Sequence, residues 1–298
     1  MTTPRSFTIT APAKINLYLH VTGSRDDGFH NLDSLAVFVG IQDSLKFSPA
    51  DDLSLEIEGP FASELEAVSD NLVLQAARAL ADMAGTNGGA QIILTKRLPP
   101  ASGIGGGSAD AAATLKGLMR LWDIKPDPQE LHELALRLGA DVPVCLNGRA
   151  VFMGGIGEDL TPAPALPTAA LVLVNPGCAL STPAVFTERA QMDAPDSAPG
   201  RFDYAPGDLA ELVAILKTRG NDLAPAAMQM EPVIGQVLAE LEGCAGALMA
   251  RMSGSGATCF GLFADPGEAA AATIKMSQDR PDWWVRAGSL EADINRLN

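Results

Sequence analysis

The sequence predicts a mixed α/β or α+β protein built from two domains. Strand-like and helical segments occur in both halves of the chain, and its 298 residues exceed the roughly 100–200 residues of a typical single domain. Residues 154–168 are rich in glycine and proline, as is typical of a boundary between domains. We therefore expect an amino-terminal domain at residues 1–160 and a carboxy-terminal domain at residues 161–298.

The amino-terminal half begins with predicted strands and continues with helices. Alternating β-branched and aromatic residues predict strands at residues 7–10, 15–22, 35–41, 53–57 and 91–95. Apolar spacing predicts a helix at residues 71–84, which ends before Gly85. A second helix is predicted from about Ser108 to Trp122. Asp127-Pro128-Gln129-Glu130 supplies the capping residue and first-turn proline of a third helix, which closes near Gly139.

The carboxy-terminal half shows the same mixture. Residues 169–174 are typical of a buried strand, Thr182-Pro183 begins a helix, and further helices are expected over residues 208–242. Strands are predicted at residues 247–251, 258–263 and 283–287, with an alanine-rich helix before the last of them. A second glycine cluster, residues 252–258, joins the first two of these strands.

Residues 99–112 are the most informative segment. They read Pro-Pro-Ala-Ser-Gly-Ile-Gly-Gly-Gly-Ser-Ala-Asp-Ala-Ala, and a helix follows the glycines. Glycine tolerates positive φ, so the N–H groups of such a loop can converge on an anion, and the helix adds unpaired N–H donors. A tight turn without a ligand would also use glycine, but Ser108 before an alanine-rich helix favours binding of a nucleotide's phosphates.

Two common nucleotide-binding motifs do not fit this loop. A Walker A loop needs a lysine and a hydroxyl residue after its last glycine, whereas Gly107 is followed by Ser108 and Ala109. The dinucleotide fingerprint begun at Gly103 would need a further glycine where Ser108 stands. The loop therefore belongs to a third type.

The charge of the chain excludes several classes of partner. Lys and Arg total 21 against 36 Asp and Glu, and a net charge of −15 disfavours nucleic acid and anionic membranes. A small anionic substrate remains compatible, because local N–H groups and one or two lysines can overcome the long-range field. The amino terminus lacks a signal-peptide core and prolines interrupt the uncharged residues 160–187, so we expect a cytoplasmic protein. The oligomeric state is left open.

Neither the cysteines nor the histidines have the spacing of a metal site. They are Cys145, Cys178, Cys244 and Cys259, and His20, His30 and His132. The cysteines lie among apolar or small residues, so we expect reduced thiols in the core.

Three segments resemble the motifs of the GHMP small-molecule kinases in order and approximate spacing. They are Pro12-Ala13-Lys14-Ile15-Asn16, residues 99–112 and residues 252–258. Within that superfamily, residues 11–19, 28–34, 99–112, 139–143 and 252–260 resemble the 4-diphosphocytidyl-2-C-methyl-D-erythritol kinases, a resemblance that spans nearly the whole chain. It implies the GHMP kinase fold, with an amino-terminal half like ribosomal protein S5 domain 2 and a ferredoxin-like carboxy-terminal half.

The resemblance also implies an activity. That activity is transfer of the γ-phosphoryl group of ATP to the 2-hydroxyl of 4-diphosphocytidyl-2-C-methyl-D-erythritol, in the non-mevalonate pathway to isoprenoid precursors. It implies that Asp141 orients or deprotonates the hydroxyl and that Lys14 faces Asp141 as a cation. Taken alone, Asp141 would be a capping residue and Lys14 would point to solvent from an edge strand. The implied ATP-binding residues are Pro99, Pro100, Ala101, Ser102, Gly103, Ile104, Gly105, Gly106, Gly107, Ser108 and Ala109.

The same resemblance implies how the cytidyl group is held. Phe29 lies in a polar loop, where a core role is unfavourable and stacking is possible. The family pattern places the cytosine between Phe29 and Phe186, although Phe186 could equally be a core residue of its helix. It further implies that His30 reads the edge of the base. Asn16 and Thr182 help to hold the ligand.

Two departures from the family pattern affect these implications. Tyrosine is more usual where Phe29 stands, so stacking remains while a phenolic hydrogen bond is absent. Ser108-Ala109-Asp110 replaces the usual Ser-Ser-Asn, which removes a hydroxyl and introduces a carboxylate near the phosphates. We therefore expect ATP with Mg²⁺ and name no protein ligand for the metal. Asp70-Asn71-Leu72 is a candidate for the adenine pocket.

Two other functions remain open at this point. Another GHMP kinase, of the homoserine or mevalonate type, would share the phosphate loop but would have no use for Phe29, His30 and Phe186. A non-catalytic nucleotide-binding sensor would keep the fold without needing Lys14 and Asp141.

Overall fold

The computed structural model describes residues 6–66 and 71–296 and confirms a mixed α/β fold. Its strands are β1 Phe7–Ser24, β2 His30–Ala50, β3 Leu53–Glu58, β4 Gly89–Thr95, β5 Val151–Gly154, β6 Asp159–Pro162, β7 Ala170–Asn175, β8 Ala247–Met252, β9 Cys259–Phe263 and β10 Trp284–Glu291. Its helices are α1 Ala62–Glu66, α2 Leu72–Ala84, α3 Gly106–Leu121, α4 Pro128–Leu138, α5 Val142–Asn147, α6 Thr182–Gln191, α7 Leu209–Lys217, α8 Ala224–Met230, α9 Val233–Glu242 and α10 Pro266–Asp279, followed by a 3₁₀ turn at Ile294–Arg296.

Strand β2 organises the amino-terminal half of the sheet. It pairs antiparallel with β1, β4 and β5, and β3 joins the outer side of β4 in parallel. The two strands predicted within residues 7–22 are one continuous strand, β1. Its pairing with β2 shifts register between Pro12 and Ala13, and such a bulge lets a strand bend and continue past a proline.

The carboxy-terminal half adds four antiparallel strands in the order β10-β7-β9-β8. The end of β10 also pairs with β2, where Leu290 lies opposite Val39 and Glu291 opposite Phe38. This second partner explains why β10 continues beyond the predicted residue 287. The two halves therefore share one continuous sheet, and the boundary at residue 160 stays a prediction.

Apolar side chains from both halves meet in the central core. Ile15 and Leu17 of β1 pack in one cluster with Leu171 of β7 and Phe260 of β9, all fully buried. Burial of this kind stabilises the contact between halves by about 25 cal/mol per Å² of apolar surface removed from water. Helices α2 and α3 cover the amino-terminal sheet, while α9 and α10 cover the carboxy-terminal strands.

Local capping signals in the sequence placed several helix ends correctly. The Asp127 carboxylate accepts hydrogen bonds from the backbone N–H groups of Gln129 and Glu130, as its position before α4 predicts. Gly85 closes α2 with a left-handed φ of 61°.

Two expectations need correction. Helix α3 begins at Gly106, so Ser108 lies inside its first turn instead of before it, and Gly105 is the capping residue with φ 63°. The four cysteines are reduced, as expected, but Cys178 and Cys244 are only partly buried because they lie outside the strands and helices that fill the core.

A buried cluster of three charges supports the glycine loop. Lys96 follows β4, and its Nζ lies 2.6 Å from Oδ2 of Asp43 on β2 and 2.6 Å from Oδ2 of Asp110 on α3. The second oxygen of Asp43 accepts hydrogen bonds from the backbone N–H groups of Arg97 and Leu98, at 2.5 and 2.9 Å. One lysine thus ties the entry of the loop and the first turns of the following helix to β2.

The Asp110 carboxylate, which the sequence predicts near the phosphates, is buried between α3 and the sheet. Position 110 is four residues after Gly106, which brings its side chain onto the sheet side of α3, where it is 2% exposed and paired with Lys96. Burial raises the pKa of Asp110 to about 7; Lys96 opposes that shift and the Asp43 carboxylate adds to it.

Substitution of Gly117 on α3 tests how tightly this helix packs on the sheet. A Cβ at Gly117 would overlap Cε2 and Cζ of the buried Phe47 ring. Although alanine has the better helix propensity, by about 1 kcal/mol, Gly117→Ala should lower the free energy of unfolding by about 1–3 kcal/mol because the core is overpacked. Urea unfolding measures this. The matched control is Gly107→Ala on the same helix, where no atom lies within 4 Å, and it should not destabilise the fold.

Asp110→Asn should remove a pH dependence of stability. The folded-state pKa of about 7 exceeds the unfolded value of about 3.9, so the native state binds a proton between these values. The stability that this group contributes is complete below about pH 4 and is lost as pH rises through about 7. The unfolding free energy of the variant minus that of the wild type should therefore increase as pH rises across that window and stay constant above it. A difference independent of pH in urea titrations would contradict this assignment.

Candidate active site

A lysine and a carboxylate meet where β1 passes the start of α5. Lys14 Nζ lies 2.9 Å from Oδ2 of Asp141 and donates a 3.0 Å hydrogen bond to Oδ1 of Asn16. The Lys14 side chain is 4% exposed, whereas that of Asp141 is 33% exposed. The pair therefore combines a buried, fixed cation with a carboxylate that a ligand can reach.

The glycine loop is what encloses Lys14. On one side, Lys14 pairs with Phe38 of β2; on the other, its backbone N–H donates to the carbonyl oxygen of Ile104 at 2.9 Å. The loop thus covers the edge of β1, from which an isolated strand lysine would have pointed into solvent. A Cβ at Gly105 would lie 3.3 Å from both Cβ and Cε of Lys14, so glycine leaves room for the lysine stem.

Asp141 is placed by two helix ends. Gly139 closes α4, and Asp141 stands directly before α5, yet its side chain makes no capping hydrogen bond. Its carbonyl oxygen accepts the first hydrogen bond of α5, from the N–H of Cys145 at 3.2 Å. The backbone of Asp141 is therefore part of α5, while its carboxylate is directed at Lys14.

The two glycine loops touch each other directly. Ser253 Oγ donates to the carbonyl oxygen of Gly103 at 3.0 Å and accepts from the backbone N–H of Asn16 at 3.1 Å. The N–H of Thr258 donates to the carbonyl oxygen of Ser102 at 3.1 Å. These hydrogen bonds join the second glycine cluster (residues 252–258), the glycine loop before α3 (the phosphate loop) and β1.

These groups line a cavity of about 1000 Å³. The predicted ATP-binding residues in its wall are Ala101, Ser102, Gly103, Gly105, Gly106, Gly107 and Ser108. Four others, Pro99, Pro100, Ile104 and Ala109, do not form its lining, and the side chains of Ile104 and Ala109 are packed in the apolar cores. Gly107 is exposed and has no atom within 4 Å of a Cβ built on it, so its backbone faces open space.

A tight turn between β1 and β2 presents Phe29. The N–H of Arg25 donates to the carbonyl oxygen of Phe29 at 2.8 Å, and Oδ1 of Asp27 accepts from the N–H of Phe29 at 3.2 Å. Gly28 has φ 86°, which permits the turn. The Phe29 side chain is left 57% exposed at the cavity.

The other residues assigned to the cytidyl group also line the cavity. The His30 and Phe186 rings stack with centroids 5.2 Å apart and an interplanar angle of 13°. Phe186 also packs against the carboxy-terminal core, so it contributes to the core and to the cavity wall. Thr182 Oγ1 is hydrogen-bonded to Oγ of Ser255 at 2.8 Å, and Asn16 Nδ2 donates to Oγ of Ser34 at 2.8 Å.

Sequence reasoning missed several supporting residues. Ser34 and Ser253 hold Asn16, yet neither is near it in sequence. Ser253 lies within the second glycine cluster, the one local signal that could have pointed to it. Of the adenine candidates, Asp70 lies outside the described residues, Asn71 caps α2 through a 2.9 Å hydrogen bond to the N–H of Val73, and Leu72 lines the cavity.

Over residues 6–66 and 71–296, no three His, Cys, Asp or Glu side chains cluster in the manner of a metal site. Across the same ranges every helix is too short or too polar to span a bilayer.

Two family models match the chain. The model of the GHMP kinases N terminal domain covers residues 71–149, and the GHMP kinases C terminal model covers residues 205–279. The first match includes the phosphate loop and Asp141, and the second includes the Ser253 loop.

Proteins of known identity resemble this chain along nearly their whole length. The chain is 55% identical over 285 residues to the 4-diphosphocytidyl-2-C-methyl-D-erythritol kinase of Paramagnetospirillum magneticum, covering 96% of this chain and 99% of the relative. Identity to the enzyme of the same name from Rhodospirillum rubrum is 52% over 287 residues, covering 96% and 93%.

Solved structures show the same relationship. A crystal structure of 4-(cytidine 5'-diphospho)-2C-methyl-D-erythritol kinase superposes with a TM-score of 0.77 and 33% identity, covering 96% of this chain and 99% of that one. A homoserine kinase from Cytophaga hutchinsonii shares the fold, with a TM-score of 0.72, 18% identity and coverage of 98% and 96%. With the matches to both domain models, these likenesses show that the chain belongs to the 4-diphosphocytidyl-2-C-methyl-D-erythritol kinase family of the GHMP kinases.

Proposed function

We propose that this protein transfers the γ-phosphoryl group of ATP to the 2-hydroxyl of 4-diphosphocytidyl-2-C-methyl-D-erythritol, in the cytoplasm, on the non-mevalonate route to isoprenoid precursors. One observation carries the proposal. A single cavity brings together a Lys14–Asp141 pair, a glycine loop at a helix N-terminus and the aromatic rings of Phe29, His30 and Phe186. Such a cavity offers one place for a triphosphate, one for a reacting hydroxyl and one for a nucleobase.

The reacting groups follow from the geometry of the pair. The acceptor oxygen forms a bond to the γ-phosphorus, the bond from that phosphorus to the β,γ-bridging oxygen breaks, and ADP leaves. Asp141 orients the hydroxyl and takes its proton, since its carboxylate is reachable from the cavity. Lys14, with its Nζ 2.9 Å from Oδ2 of Asp141, offsets negative charge on the transferred group. Phosphoryl transfer depends mainly on such positioning and charge neutralisation.

The glycine loop provides the phosphate cradle. Its backbone N–H groups and the N-terminus of α3 offer donors and a partial positive charge to the anion. Mg²⁺ would arrive on the nucleotide, because Mg²⁺ commonly keeps its waters and binds through phosphate oxygens with only one or two protein carboxylates. Asp141 is assigned to the hydroxyl and no protein ligand is assigned to the metal, which would neutralise charge on the phosphates.

The aromatic residues select the nucleobase. Phe29 and Phe186 both line the cavity, and base stacking on such rings contributes about 1–3 kcal/mol per base. A kinase of the homoserine or mevalonate type would bind an acceptor without a base and would gain nothing from these rings. A non-catalytic sensor would not need a buried lysine directed at a reachable carboxylate.

Asp141→Asn tests the proposed chemistry. The amide cannot accept the proton of the hydroxyl, so the variant should lose about 10²–10⁴-fold in kcat, with KM for both substrates little changed. Phosphorus NMR with Mg-ATP and the cytidyl substrate follows the product. Asp127→Asn is the control, because asparagine also caps a helix and Asp127 caps α4, outside the cavity wall. An inactive wild type, or full activity of Asp141→Asn, would overturn the proposal.

Phe29→Ala tests the base-binding role. Loss of one stacking face should raise KM for the cytidyl substrate about 5–100-fold, with KM for ATP and kcat close to wild type. Free cytidine should inhibit the wild type more strongly than the variant. Tyr204→Ala removes another exposed aromatic ring, 49% exposed and outside the cavity wall, and should change none of these constants. Equal KM values for Phe29→Ala and the wild type would exclude stacking on Phe29.

A further inference from the structure

Residues 292–296, which we call the carboxy-terminal clasp, leave β10 and lie against the amino-terminal half. The carbonyl oxygen of Ala292 accepts a hydrogen bond from the N–H of Ala150 at 2.8 Å, and the N–H of Ile294 donates to the carbonyl oxygen of Gly148 at 2.9 Å. Gly148 is the residue that ends α5. The clasp thus binds the far end of the helix that begins after Asp141.

The side chain of Asn295 bridges two helices. Its Nδ2 donates to the carbonyl oxygen of Asn147, the last residue of α5, at 2.9 Å. Its Oδ1 accepts from Nζ of Lys116 on α3 at 3.2 Å. A single amide therefore joins α5 to α3 and satisfies a carbonyl that the end of α5 leaves without a helical partner.

Ile294 adds an apolar contact at the same place. Its side chain is 3% exposed and belongs to the core cluster that contains Val142, Val144 and Cys145 of α5. A Cβ at Gly148, which has φ 69°, would lie 3.0 Å from Cγ1 of Ile294, so the turn after α5 and the clasp are in close contact.

The clasp joins α3 and α5 away from the proposed site. The groups of that site lie at the amino-terminal ends of both helices. Helix α3 begins at Gly106 in the phosphate loop, and α5 begins after Asp141. The six residues of α5 span only about 9 Å at 1.5 Å per residue, so a displacement at Asn147 is passed on to Asp141 with little attenuation. The Asp141 side chain makes no capping hydrogen bond, so its place depends on the backbone of α5 and on the ion pair with Lys14.

We propose that Ile294 and Asn295 are positioning residues for the phosphoryl transfer, because they set the place of Asp141 relative to the phosphate loop by clasping α5 to α3. The inference rests on the proposed function, since it assigns a role to Asp141 in that reaction. None of the clasp residues lines the cavity. Loss of the clasp should therefore lower kcat while the binding of ATP and of the cytidyl group is retained.

Ile294→Ala and Asn295→Ala test this inference in the full-length protein. Each should lower kcat at least about tenfold, because a misplacement of about 1 Å at a reacting group can cost about 100-fold in rate. KM for ATP and KM for the cytidyl substrate should stay within about twofold of wild type. Lys116→Met should lower kcat by a similar factor. The double variant Lys116→Met/Asn295→Ala should have a kcat no lower than either single variant, since both substitutions break the same bridge between α3 and α5.

A matched control separates the loss of positioning from a general loss of folding stability. Ile234→Ala truncates an equally buried isoleucine in the carboxy-terminal core and should cost similar unfolding free energy in urea while leaving kcat unchanged. The wild-type rate tests the proposed function, and the ratio of variant to wild-type kcat tests the clasp. Variants at 294 and 295 that keep wild-type kcat, or that lose no more than Ile234→Ala, would overturn the inference.

Discussion

Backbone contact between the two glycine loops is the constraint on which the cavity depends. A Cβ at Gly103 would lie 2.5 Å from the carbonyl oxygen of Ser253 and 2.6 Å from that of Gly256, and a Cβ at Gly254 would lie 2.9 Å from the carbonyl oxygen of Gly103. Any side chain there would separate the loops. The Ser253 hydroxyl could then no longer link Gly103 to the backbone of Asn16, and Lys14, two residues earlier on β1, would lose its cover. Glycine is needed here for the close approach of the two loops, apart from the phosphate binding that we propose.

Two lysines are buried in this strongly acidic protein, and their partners give them different roles. Lys96 lies between Asp43 and Asp110, both of which are almost completely buried, so no ligand can reach either carboxylate. Among the described residues Lys14 has a single carboxylate partner, Asp141, which is one-third exposed. A buried ion pair whose members are both enclosed can support structure only, whereas a half-exposed partner can exchange hydrogen bonds with a substrate. The difference in exposure of the carboxylates separates the supporting lysine from the one that we propose acts in the reaction.

Local signals made much of the fold predictable. Capping by Asp127, closure by Gly85 and the buried strand at residues 170–175 each depend on neighbours in sequence, and the structure has them as the sequence predicts. Contacts between distant residues were not predictable. The contact of Ser253 with Asn16, that of Lys96 with Asp43 and that of Asn295 with Asn147 each join residues more than 50 positions apart. No spacing rule in the sequence links such residues. The start of α3 was misplaced because a glycine cap replaced the expected serine.

The groups assigned to chemistry and those assigned to base selection lie on elements of different rigidity. Lys14 is held on both sides of β1, and Asp141 is continuous with α5. Phe29 and His30, in contrast, lie at a turn braced by an exposed ion pair between Arg25 and Asp27, and such pairs contribute little stability. The His30 ring stacks on Phe186. A base that enters between Phe29 and Phe186 must therefore replace this contact with its own contact to the Phe186 ring. A turn of low stability permits that exchange, and it does so without disturbing the Lys14–Asp141 pair.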